Sequence, residues 1–249
     1  MSAMAASTIA GAALPGLVAR AEICATLSLH LREGRTVLVW GPVGIGKTAV
    51  LRSLEARFRA CGTPCGLSAT TDGLADLDAA LARAYPNVDA TGGARRARAR
   101  LRSAVEKNPA VLLLDGLGAT GTAFKGALRS LRGTGIGILL AADVDQSRDH
   151  DRVRALGLAG RELELVPLHG RSMRTLLEAL LDARPLPHRL TGDDLRALAD
   201  DAEGLPGRAV WFADALANPI AWHGGRVRRS WLRSEAAIAA METYRGRAP

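Results

Sequence analysis

Apolar and polar positions follow two rhythms along this chain, and the rhythm changes near residue 168. Thr36-Val37-Leu38-Val39-Trp40 is a short, β-branched apolar run, which predicts a buried strand. Lys47 to Cys61 repeats at helical spacing, with Val50, Leu51, Leu54 and Phe58 on one face. A short helix ending near Leu31 precedes that first strand. Further along, the pattern predicts a strand around Gly66 to Thr70 and helices over Asp72–Ala84 and Arg95–Lys107. Val111-Leu112-Leu113-Leu114-Asp115 reads as a strand ending in an acid, followed by a helix over Thr122–Leu131. Strands over Gly135–Ala142 and Glu162–Val166 complete the series. Strands separated by helices imply a parallel sheet covered on both faces.

After Pro167 only helical spacing remains. Met173, Leu176, Leu177, Leu180 and Leu181 mark one helix, which Pro185 stops. Thr191-Gly192-Asp193-Asp194 has the form of a capping box that starts the next. Pro206 stands at the first turn of a third, running through Trp211 to Leu216. The chain therefore divides into a flexible segment (1–15), an α/β core (16–168), a helical lid (169–216) and a basic tail (217–249).

Composition narrows this picture. With 249 residues, 48% of them apolar but only 4% aromatic, the core must be filled mostly by aliphatic side chains. No apolar run reaches the roughly 18 residues of a membrane span. The opening stretch lacks a basic region, so a cytoplasmic protein without a secretory leader is expected. Cys24, Cys61 and Cys65 lack paired spacing and read as buried free thiols. The charge of +8 comes almost wholly from arginine; Lys47, Lys107 and Lys125 are the lysines. Such a surface suits nucleic acid, but it also serves solubility alone.

One motif carries specific chemistry. Gly41-Pro42-Val43-Gly44-Ile45-Gly46-Lys47-Thr48 matches G-x-x-x-x-G-K-[ST] at every fixed position, between a predicted strand and a predicted helix. Glycines let the backbone wrap a phosphate closely, and the helix N-terminus adds unpaired donors and positive dipole. Lys47 is then the cation for the β- and γ-phosphates, and Thr48 the hydroxyl for Mg²⁺. Asp115, at its strand end, is the candidate acid on the magnesium side. The expected fold class is thus α/β: a three-layer P-loop NTPase core with a parallel sheet, followed by a small helical lid. The expected cofactors are ATP and Mg²⁺.

From residue 16 to about 216 the chain resembles the AAA+ and STAND ATPases. Leu17-Val18-Ala19-Arg20-Ala21-Glu22-Ile23 is similar to the V-G-R-E-x-E-L segment of origin-recognition-type members. The resemblance implies that Leu17 and Val18 lie against the base. Arg161, in Leu158-Ala159-Gly160-Arg161-Glu162-Leu163, matches the arginine that completes a neighbouring subunit's site, with Arg152 and Arg154 as rivals. Gly204-Leu205-Pro206-Gly207-Arg208 resembles the lid motif G-x-P-x-R and the G-L-P-L of NB-ARC proteins, which makes Arg208 the second-sensor candidate. Asp143 falls in the first-sensor region. One departure bears on catalysis. The family usually follows the magnesium aspartate with a water-activating glutamate, and NACHT-type members read D-G-L-D-E. This chain has Gly116-Leu117-Gly118-Ala119. Slow or partner-dependent hydrolysis is therefore expected.

Two basic segments lie outside this core pattern. Arg95, Arg96, Arg98, Arg100 and Arg102 share one predicted helix, on which residues 95, 98 and 102 share a face. Arg226, Arg228, Arg229 and Arg233 are interleaved with Trp222 and Trp231, and Ile238 and Met241 suggest an amphipathic helix docked on the lid or on a partner. The leading expectation is a homo-oligomeric, nucleotide-switched AAA+-type ATPase. It would assemble on double-stranded DNA through these segments, like transposition helpers or helicase loaders. The alternative is a STAND-type signalling switch that binds a protein partner, and no membrane role is expected.

Overall fold

The computed structural model describes residues 20–89, 91, 93–116, 121–143 and 160–245. The core begins with α1 (Ala21–Arg32), β1 (Thr36–Gly41), α2 (Lys47–Ala60), β2 (Cys65–Ser68), α3 (Leu74–Ala84) and α4 (Ala94–Lys107). It continues through β3 (Val111–Leu114), α5 (Thr122–Arg132), β4 (Gly137–Asp143) and β5 (Arg161–Glu164). All five strands are parallel, in the order β2-β3-β4-β1-β5.

Alternation along each strand builds two apolar layers. Val37, Val39, Val111, Leu113, Leu139 and Ala141 face α1 and α2, where Leu27, Leu31, Leu51, Leu54 and Phe58 meet them. Leu38, Leu112, Leu114, Ile138 and Leu140 face α3, α4 and α5, meeting Leu77, Leu101, Phe124 and Leu128. Aliphatic side chains dominate both layers, as the scarcity of aromatics requires. Cys24 and Cys65 are buried, whereas Cys61 is exposed, because it caps α2 where the chain turns out to solvent.

The lid comprises α6 (Gly170–Asp182), α7 (Gly192–Asp201) and α8 (Pro206–Leu216). The capping box forms: Thr191 Oγ1 accepts from Asp194 N–H at 3.1 Å, and Asp194 Oδ2 accepts from Thr191 N–H at 3.0 Å. The tail is no loose appendage. After a 3₁₀ turn at Pro219–Ala221, β6 (Trp222–His223) and β7 (Arg226–Val227) pair as a hairpin, and α9 (Arg229–Arg245) follows. Trp222, Leu232 and Ala236 are buried in the same apolar cluster as Leu177, Leu198, Phe212 and Leu216 of the lid. Trp222 donates to Leu216 O at 2.8 Å, and Arg229 holds both carboxylate oxygens of Asp201 at 2.9 Å. The expected boundary at 216 thus falls inside one packed unit. Among the described residues no helix is long and apolar enough to cross a membrane.

Candidate functional site: a phosphate loop under a seated lid

The loop between β1 and α2 is positioned by the sheet. β4 lies between β1 and β3, and its register sets Asp143 opposite Gly41, where the loop starts. Asp115 follows β3, its N–H bonded to Ser68 O at 2.8 Å. Three functional groups therefore meet at the carboxyl edge of the strands, where ligands of open α/β sheets bind.

Lys47, only 7% exposed, spends its three donors inside this site: on Gly41 O at 2.6 Å, Pro42 O at 2.8 Å and Asp143 Oδ1 at 2.5 Å. A buried ammonium needs that much compensation. Thr48 Oγ1 donates to Asp115 Oδ2 at 2.6 Å, so the two residues assigned from sequence to the magnesium side are in direct contact. The N–H groups of Gly46, Lys47 and Thr48 have no protein partner among the described residues, as the first turn of a helix dictates. Together these groups face a cleft of about 470 Å³. The lid contributes Leu176, Leu180, Pro206, Gly207 and Val210 to its walls.

Other expectations fare differently. Val18 and Leu17 lie outside the described residues, as do Arg152, Arg154 and residues 117–119. Arg161 is the first residue of β5, at the sheet's amino end beside Val37, with its Nη1 3.4 Å from His30 Nε2. Arg208 does not line the cleft. Its guanidinium turns to Glu203 at 2.8 Å and to Asp201 O at 3.3 Å, and the lid presents Gly207 and Val210 instead. On α4, Arg98 pairs with Asp78, Arg100 with Asp89 and Arg102 with Glu106, so three of the five arginines have acidic partners in the chain. Arg95 and Arg96 are exposed.

Two residues at the site went unassigned from sequence. Arg52 lines the cleft, and its spacing of four from Thr48 on α2 was the available signal. Arg20 is 2% exposed and bonds the carbonyl of Ile45 in the loop. It stands in the quoted Leu17–Ile23 segment, but nothing in that segment marks it as buried.

No protein-family model and no curated protein sequence matches the chain. Solved structures do match in shape. The AMPPCP-bound DnaA of Aquifex aeolicus aligns with a TM-score of 0.51 at 18% identity, over 81% of this chain and 60% of that one. Domain III of the Thermotoga maritima replication initiation protein DnaA aligns with a TM-score of 0.52 at 19% identity, over 79% and 81%. A STAND protein with a tetratricopeptide repeat sensor from Pyrococcus horikoshii overlaps with a TM-score of 0.49 at 13% identity, over 85% and 31%. This chain therefore spans 60% of the Aquifex protein and about a third of the Pyrococcus one. Identities this low speak to the fold. The parallel sheet, its helices and the DnaA likeness give this chain an α/β P-loop NTPase fold like that of the DnaA domains.

Proposed function

We propose that the chain binds ATP with Mg²⁺ in this cleft and uses the nucleotide as a conformational switch, hydrolysing it slowly. The observation that carries this reading is the 2.6 Å Thr48–Asp115 contact beneath a complete phosphate-loop motif. In it, backbone N–H groups from Gly44 to Thr48 cradle the phosphates. Lys47 exchanges its present partners for β- and γ-phosphate oxygens. Thr48 and Asp115 offer two hard oxygen donors, a set that fits magnesium, which takes few protein ligands and leaves the rest to phosphate and water. A bound Mg²⁺ would neutralise charge on the phosphates. Leu176, Leu180 and Val210 offer an apolar wall to the base.

Gly116 supports the slow rate. Its φ of 65° is left-handed, which costs a residue with a side chain about 1–2 kcal/mol, so a glutamate here would be strained. Its carbonyl is held by Thr71 Oγ1. Among the described residues, the carboxylates lining the cleft are Asp115 and Asp143, and the second is paired with Lys47. Neither is available to orient water.

For the downstream role we favour assembly on duplex DNA. Exposed Arg95 and Arg96 at the start of α4, with Arg226 and Arg228 of the hairpin, supply the basic surface. Gly116 also favours a second reading, a STAND-like switch read by a protein partner, since a slow hydrolase is a long-lived switch. ATP turnover with and without duplex DNA at low salt tests both. Slow turnover, stimulated by DNA and absent in Lys47→Ala, is expected. Tight ATP binding with no response to DNA would favour the protein-partner reading.

A further inference from the structure

Two carbonyls of the phosphate loop are each held by a donor from outside the loop. Ile45 O accepts from Arg20 Nη2 at 3.1 Å, and Gly44 O accepts from Gly207 N–H at 2.8 Å. The same Arg20 Nη2 donates to Val166 O at 2.9 Å, immediately before the lid begins. Arg20 has no carboxylate partner, and its Nε has no partner at all among the described residues. Burial lowers its pKa, with Cys24 opposing. Retaining a guanidinium in so costly a place asks for a function.

The geometry of the peptide bond supplies one. A trans peptide points its C=O and its N–H in opposite directions. Holding the Gly44 carbonyl on Gly207 turns the Ile45 N–H the opposite way, where it meets Pro42 O at 3.3 Å. Holding the Ile45 carbonyl outward likewise turns the Gly46 N–H inward. Gly46 lines the cleft, and its N–H has no protein partner among the described residues. Gly207 can reach Gly44 only because it lacks a side chain: a Cβ there would stand 2.9 Å from Gly44 Cα. The lid and the buried arginine thus each fix one of the loop's peptide planes.

We propose that Arg20 is a positioning residue for the nucleotide's phosphates, and that with the Gly207 N–H it ties the phosphate grip to the seating of the lid. This rests on the reading of the loop as a phosphate site. Its consequence is that substitutions behind the loop weaken phosphate binding without touching the ligand.

The test titrates the full chain with ADP by calorimetry while following the Gly46 amide in ¹⁵N spectra. Arg20→Met is expected to weaken ADP by about tenfold or more. It should displace the Gly46 resonance before ligand is added and shrink its shift on binding. Arg20→Lys, which keeps a cationic donor, should recover most of the affinity, a rescue that packing alone would not give. Gly207→Ala, which leaves Arg20 intact, should weaken ADP several-fold by unseating the lid. Arg20→Met folded and binding ADP within twofold of wild type would overturn the proposal. Should Arg20→Met not fold, unaltered binding in Gly207→Ala together with no rescue in Arg20→Lys would overturn it equally. A wild-type chain that fails to bind millimolar ADP would instead overturn the phosphate-site reading beneath it.

Discussion

At the scale of single residues, the site is a set of short contacts whose partners are fixed by strand ends. Lys47 has its three donors occupied by two carbonyls and Asp143. Asp143 is paired with Lys47 at 2.5 Å, so replacing it with Asn should free Lys47 from a competing charge. Asp143→Asn is expected to tighten ATP binding several-fold, and a weakened Kd by calorimetry would contradict that assignment. Cysteine reactivity offers a second check. Desolvation, with Glu55 adding to it, pushes the Cys65 thiol up to about 12, and desolvation also raises Cys24. Cys61 is exposed. A thiol reagent at pH 8 should therefore label one of the three cysteines in the folded chain, and labelling of all three would show that the core opens readily. The sign for stability follows. A thiol whose folded pKa lies above its unfolded value stabilises the fold below about pH 8.5, and that contribution is lost as pH rises toward 12.

At the scale of elements, the phosphate loop and its flanking strand and helix were legible in the sequence because the motif and the hydrophobic period agreed. The third lid helix was legible through Pro206, and the second through its capping box. What stayed hidden depends on contacts between distant segments. Arg208 sits beside Gly207 in a familiar motif, but its partner Glu203 is supplied by the turn before α8. Arg229 looked like a tail cation for phosphate. It is instead the bidentate tie between α9 and Asp201, which is itself 10% exposed. Arg229→Ala is expected to cost about 1–2 kcal/mol, because it leaves that carboxylate without its main partner. The loss should appear as a lower denaturation midpoint, with ADP affinity nearly unchanged. An unaltered midpoint would mean that the tail docks through apolar burial alone. The hairpin of β6 and β7 was not foreseen, since two-residue strands are too short to carry a period.

At the scale of the whole molecule, a basic chain presents exposed arginines without acidic partners among the described residues on α4 and around the hairpin, the Arg228 side chain bonding only the Ile220 carbonyl. Charge alone overstated that surface, because Arg98, Arg100, Arg102 and Arg229 are neutralised by acids. The surviving candidates are Arg95, Arg96, Arg226 and Arg228. If they contact phosphates, reversing Arg226 and Arg228 to Glu should weaken duplex binding and flatten its salt dependence by about one unit of slope per lost contact. Unchanged affinity at 50 mM and 200 mM salt would refute the role of the tail. Hydrolysis is the other whole-molecule property. With no carboxylate poised for water among the described residues, turnover should sit a hundredfold or more below the roughly 10 s⁻¹ of an ordinary enzyme.

All of this depends on the loop holding a nucleotide. Calorimetric titration of the folded wild-type chain and of Lys47→Ala with ATP and Mg²⁺ asks that directly. Removing a charge-assisted contact worth about 3 kcal/mol should weaken ATP by about two orders of magnitude, while circular dichroism shows the fold intact. Equal affinity in the two proteins would mean that ATP, if it binds, does so somewhere other than this cleft.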